Sequence, residues 1–168
     1  MDTDVIIIKG APGSGKSETA EVLSVHFPKG VKIEVDYVRT MIVSVDWENL
    51  EEHLNSIEIA ANMTLGFLKL NYKPVIVIDT FSEGKEKGFI NTLYKSGKDL
   101  SFKIFGLCVN EDELEKRLKA RSADQYNNFI LSNEVNKEII NLKGDNVHIL
   151  DTSGKTSEDT ANKILSCL

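Results

Sequence analysis

Eight consecutive residues, Gly10-Ala11-Pro12-Gly13-Ser14-Gly15-Lys16-Ser17, carry the most specific chemistry in this sequence. They fit the spacing G-x-x-x-x-G-K-[ST] without a mismatch. The glycines let the backbone curl until successive N–H groups point at one centre, and a helix starting there adds about half a positive charge. Such a bend suits a chain of phosphates, with the Lys16 ammonium reaching the outer groups and the Ser17 hydroxyl placed to ligate Mg²⁺. It needs a buried strand before it and a helix after it. Val5 to Lys9 is a short apolar run ended by Gly10; from Lys16 to about His26, Ala20, Leu23 and Phe27 recur at helical spacing until Pro28 and Gly30.

Carboxylates follow at the ends of two further strands. Val31 to Val35 alternates apolar and charged residues, as an edge strand with one wet face does, and leads into Asp36. Val75-Ile76-Val77-Ile78 is continuously apolar, the pattern of a central strand, and ends on Asp79. In open α/β sheets ligands sit beyond the carboxyl ends of the strands, so Gly10, Asp36 and Asp79 are expected to converge. Asp79 then reads as a carboxylate holding Mg²⁺ or its waters, or else as a turn cap. Asp36 and Arg39 share one face if Asp36 opens a helix. The carboxylate would accept a hydroxyl proton as that hydroxyl attacks phosphorus, and the guanidinium would grip the acceptor. An N-cap with a surface ion pair is the other reading.

Arg117 and Arg121 lie one turn apart, ahead of the polar stretch Ser122-Ala123-Asp124-Gln125, as in a hinged lid whose arginines close over transferring phosphate. The alternative is a solvated face paired with Glu113 or Asp124. Thr152, in the turn after the last strand, lines a base or ribose pocket or simply caps the next helix. Trp47 reads as core or helix staple, and His26, His53 and His148 show no metal-ligand spacing and receive no role.

The remaining periodicity supplies the scaffold. Asn49 to Asn71 is the strongest amphipathic helix, with Asn49 and Glu52 spaced as a capping box. Helices are also expected over about Glu83–Ser96, after Asn110, over about Gln125–Leu142 and over Thr156–Cys167. Strands fall at Phe102–Val109 and Val147–Leu150. The order predicts an α/β fold, a five-stranded parallel sheet wrapped on both faces, in a single domain over residues 1–168. Hydrophobic residues at 41%, charged residues at 27% and a net charge of −6 exclude a disordered or fibrous chain and any general polyanion or membrane adhesive. Two separated cysteines and no apolar run long enough for a leader or membrane span point to a reducing, cytoplasmic setting. A signalling GTPase is disfavoured. Asn136-Lys137-Glu138-Ile139 lacks the aspartate of a base-reading N-K-x-D, and Asp79-Thr80-Phe81-Ser82 lacks the switch glycine.

With residues 10–17, the Asp36-x-x-Arg39 corner, the Val75–Asp79 strand and the Arg117/Arg121 pair assembled, the chain resembles small P-loop kinases. It looks most like the group of polynucleotide 5′-hydroxyl kinases, zeta toxins and chloramphenicol phosphotransferases. The resemblance implies a three-layer P-loop fold with strand order 2-3-1-4-5 and a short lid. It also implies ATP and Mg²⁺ as cofactors, transfer of the γ-phosphate to a hydroxyl, an aspartate base matching Asp36 and lid arginines matching Arg117 and Arg121. In polynucleotide kinases the arginine matching Arg39 contacts the acceptor phosphate. The acidic balance and the sparse lid favour a small hydroxylated molecule, nucleoside or nucleotide as acceptor over nucleic acid. A polynucleotide 5′-end kinase and a nucleotide-dependent binding switch are the rival readings.

Overall fold

The computed structural model describes residues 3–122 and 125–168. Its strands are β1 (Val5–Gly10), β2 (Val31–Glu34), β3 (Val75–Asp79), β4 (Phe102–Cys108) and β5 (Val147–Asp151). They form one sheet of order β2-β3-β1-β4-β5, parallel at every pairing. The two continuously apolar runs take the interior, since β1 and β3 are buried along their whole lengths. β2, with Lys32 and Glu34 alternating with apolar residues, lies at an edge where those charges can reach water.

Among the described residues seven α-helices cover both faces: α1 (Lys16–Ser24), α2 (Val35–Arg39), α3 (Leu50–Lys69), α4 (Glu86–Lys95), α5 (Glu111–Lys119), α6 (Phe129–Ile140) and α7 (Ser157–Leu165). Side chains along a strand alternate between faces. Val5, Ile7, Val75 and Val77 therefore pack with Val38, Ile57, Ala60 and Phe89 from α2, α3 and α4. Ile6, Ile8, Ile76 and Ile78 pack with Ala20 and Leu23 of α1 and with Ala161 and Ile164 of α7. At Gly106 a Cβ would stand 3.0 Å from Ile139, so glycine lets α6 settle close on β4.

Several boundaries differ from the sequence expectation, each for a local reason. Val35 opens α2 instead of ending β2, because the chain turns the corner one residue early. The helix expected from Glu83 begins at Glu86; Phe81, Glu83 and Gly84 hold φ of 47°, 56° and 73°, which no α-helix accommodates. The helix expected from Gln125 begins after Asn128, whose side chain accepts the Leu131 N–H. Only half of the box at Asn49 forms. Asn49 accepts the Glu52 N–H at 3.1 Å, while the Glu52 carboxylate accepts the Asp46 N–H from the preceding loop.

One ionic contact lies inside this scaffold. Lys9, fully buried on β1, donates to Glu86 in the first turn of α4 at 2.8 Å. Removing one partner strands the other charge in a low-dielectric interior, a far larger loss than replacing both. Glu86→Ala is expected to lose about 3–5 kcal/mol in urea unfolding. The double change Lys9→Met with Glu86→Leu should recover most of that, and equal losses in both proteins would show that the pair's charges are not the cause.

Candidate active site

The cradle occupies the corner between β1 and α1, where the sequence places it. Gly13 and Gly15 sit in the left-handed region at φ 86° and 89°, and a Cβ on Gly10 would stand 2.6 Å from both Leu107 O and Ser14 Oγ. Those three positions admit only glycine without strain. Gly15 is the N-cap of α1 and provides no side-chain cap, so the amides of the first turn are left for a ligand. Ser14 Oγ is buried and lacks a hydrogen-bond partner among the described residues. An orphaned hydroxyl, glycine-only turns and uncapped helix amides together fit a phosphate chain.

Lys16 folds back over this bend and donates to Ala11 O at 2.9 Å. Burial lowers its pKa to about 8, with the carboxylates of Asp79 and Asp36 opposing the shift and Arg121 reinforcing it. Lys16, Asp36, Asp79 and Arg121 thus feel one another at one end of the sheet, as the convergence argument expects. Pro12 is half-buried in the same bend.

A cleft of about 490 Å³ opens beside the bend, lined among others by Gly13, Gly15, Arg117, Arg121, Thr152 and Thr156. Arg117 does not swing free. Its Nη2 donates to Glu113 Oε1 at 2.5 Å and to Thr152 O at 2.7 Å, and its Nη1 donates to Thr152 Oγ1 at 3.0 Å. Thr152 Oγ1 also lies 3.2 Å from Ser14 O, so this threonine joins the β5 turn to the phosphate bend. Arg121 donates to Tyr126 O at 2.8 Å. Of the expected hinge, Ala123 and Asp124 lie outside the described residues.

On the other side of the bend Asp36 is the second residue of α2 and is exposed, Asp79 ends β3 and is buried, and His53 reaches down from α3. The Asp36 pKa is raised, first by the protein packed around it and second by Asp79; Lys16, His53 and Arg39 pull it down. Asp79 accepts the Phe81 N–H at 2.9 Å, which stabilises the left-handed corner, and both of its oxygens lie 3.3 Å from His53 Nε2. His53 thus belongs to the site, although sequence reasoning gave it no role. The available signal was its place one turn ahead of buried Ile57, a polar residue on the apolar stripe of α3.

Arg39, expected to grip an acceptor, is engaged here within the protein. It is 4% exposed, its Nη2 donates to Asp46 O at 2.5 Å and Asn49 O at 3.0 Å, and its guanidinium stacks on Trp47 at 4.9 Å. It braces the loop between α2 and α3. Trp47, read from the sequence as core or staple, is 53% exposed, and its packed face is the one against Arg39.

For magnesium the oxygen donors at hand are the Ser17 hydroxyl and the carboxylates at the ends of β2 and β3. Among the described residues no group of three or more His, Cys, Asp and Glu is arranged to hold a metal. That sparse set fits an ion that keeps waters and is bound mainly through a ligand's phosphates, the habit of Mg²⁺.

No family's sequence profile matches the chain, and no curated protein matches it in sequence. Solved structures do match in fold. The tunicamycin resistance protein of Deinococcus radiodurans gives a TM-score of 0.71 at 19% identity, covering 98% of this chain and 95% of that one. A sugar kinase from Janibacter gives 0.72 at 14% identity, with 98% and 93% covered. The APS kinase of Mycobacterium tuberculosis, solved with AMPPNP and APS, gives 0.66 at 13% identity, with 98% and 96% covered. The chain therefore shares its fold with these proteins, and its strands follow the expected order. Among the described residues no helix is long and apolar enough to cross a membrane.

The depressed Lys16 pKa has a measurable consequence. An anion bound in the bend favours the charged lysine and raises its pKa, so binding takes up protons wherever the free protein is partly neutral at Lys16. ATP affinity measured by calorimetry is expected to fall as pH rises through about 8, by up to about tenfold per unit. Proton uptake should be visible on changing the buffer's ionisation heat; a flat profile would show that Lys16 does not meet the ligand.

Proposed function

We propose that this protein is a phosphotransferase that moves the γ-phosphoryl group of ATP to a hydroxyl of a small molecule, nucleoside or nucleotide. The observation that carries the reading is the electrostatic influence of Lys16 and Asp36 on each other at the carboxyl end of the sheet. One is a cation on a phosphate-type bend; the other is a carboxylate whose proton affinity is raised by burial and by Asp79, as suits a proton acceptor. Asp36 accepts the acceptor's hydroxyl proton. Lys16 and Arg121 stabilise charge on the transferring group. Arg117, locked to Glu113 and Thr152, forms a wall of the nucleotide cleft. Residues 10–17 hold the triphosphate, and Thr152 helps to shape the cleft beside it. Magnesium, when bound through Ser17 and the phosphates, neutralises negative charge on the group being transferred.

The cations on the acceptor side support a small acceptor over a nucleic acid. Arg39 is buried against loop carbonyls, Lys9 against Glu86, and Lys85 lies 3.0 Å from Glu83. A polyanion would need several unengaged Lys or Arg side chains there.

Asp36→Asn is expected to bind Mg·ATP within about twofold of the parent yet to lose transfer by about 10²–10⁴-fold, the usual worth of a general base. A screen of hydroxyl compounds with γ-labelled ATP reads the transfer, and a 5′-hydroxyl oligonucleotide in the same screen tests the polynucleotide alternative. Undiminished transfer by Asp36→Asn would remove the aspartate from the chemistry. Nucleotide-dependent capture of a protein partner, without label on any acceptor, would favour a binding switch.

A further inference from the structure

A serine hydroxyl can turn a lone pair toward a cation only if its own proton points elsewhere. In this chain the group that takes the Ser17 proton is on β2. Ser17 Oγ donates to Glu34 Oε2 at 3.0 Å.

Strand alternation explains the choice. Ile33 packs into the α2–α3–α4 face of the sheet, so Lys32 and Glu34 project to the opposite face, the one covered by α1. Ser17 lies in the first turn of α1, and Lys32 pairs with Glu21 farther along the same helix. Asp79 has the parity of Val75 and Val77 and faces α3 instead. Its oxygens are engaged by His53 and the Phe81 N–H, as described above.

Glu34 is also held in place from its far side. Its second oxygen lies 3.4 Å from Lys32 Nζ, and its side chain is 14% exposed. A carboxylate pinned at one oxygen and accepting a hydroxyl proton at the other fixes the rotation of that hydroxyl.

We propose that Glu34 is the positioning residue for magnesium in this protein, orienting the Ser17 oxygen toward the ion, while Asp79 organises the β3–α4 corner. The inference rests on the phosphotransferase reading only in requiring that nucleotide binds together with Mg²⁺.

The test is a double-mutant cycle on the full chain, read by calorimetric binding of the non-hydrolysable analogue AMPPNP with graded Mg²⁺ and with EDTA. Glu34→Ala is expected to raise the half-saturating Mg²⁺ about tenfold, as loss of an outer partner of a metal ligand does, and to leave affinity in EDTA unchanged. In a Ser17→Ala background the same change should have no further effect. If Glu34→Ala fails to fold, Glu34→Gln carries the cycle with a smaller increase, since its carboxamide keeps one acceptor oxygen. Equal loss of affinity with and without metal overturns the proposal, as does a full effect persisting without the Ser17 hydroxyl. Metal-dependent binding by the parent that Glu34→Ala leaves unchanged overturns this inference alone. A parent that binds no AMPPNP at any Mg²⁺ concentration overturns the phosphotransferase reading and this inference with it.

Discussion

A backbone can present several N–H groups to one point only where it turns through conformations closed to ordinary side chains. Gly10, Gly13 and Gly15 make that turn: two are left-handed, and the third has no room for a Cβ between Leu107 O and Ser14 Oγ. The rest of the site depends on this constraint. β1 must be central and buried so that the bend is rigid, α1 must start there so that its first amides face the ligand, and Lys16 must lie within reach of the carboxylates at the neighbouring strand ends.

Around that bend the sheet separates two environments by the parity of its strands. Side chains on the α1 face, Glu34 and Lys32, meet Ser17 in the first turn of the helix and Glu21 farther along it. Side chains on the α3 face, Lys9 and Asp79, meet Glu86 and His53. Each carboxylate has a distinct partner, so neighbouring negative charges are tolerated without one common cation. Asp36, near the start of α2, has its pKa raised first by the protein packed around it and then by Asp79, against the downward pull of Lys16.

Rigidity in this site comes from arginines used as braces. Arg117 ties α5 to the β5 turn, and Arg39 ties α2 to the loop leading into α3, each through backbone carbonyls whose positions would otherwise vary. The β3–α4 corner is held differently. Positive φ at Phe81 and Glu83 costs about 1–2 kcal/mol per residue, offset in part by the Asp79 carboxylate accepting the Phe81 N–H.

The phosphate bend, the buried character of β1 and β3, the edge position of β2 and the helical stretches are legible in the sequence itself. They follow from steric freedom at single residues and from periods of two and 3.6 within short windows. The partners of the polar side chains are not. Ser17 meets Glu34 across 17 positions, His53 meets Asp79 across 26, and Arg117 meets Thr152 across 35. Whether Arg39 grips a ligand or braces its own loop, and which carboxylate takes the serine's proton, depends on the face to which each strand turns its last residue. Local pattern therefore determined the bend and the sheet, and only the packed structure assigned each charge its partner, because a side chain's direction is decided by the layer it is packed against.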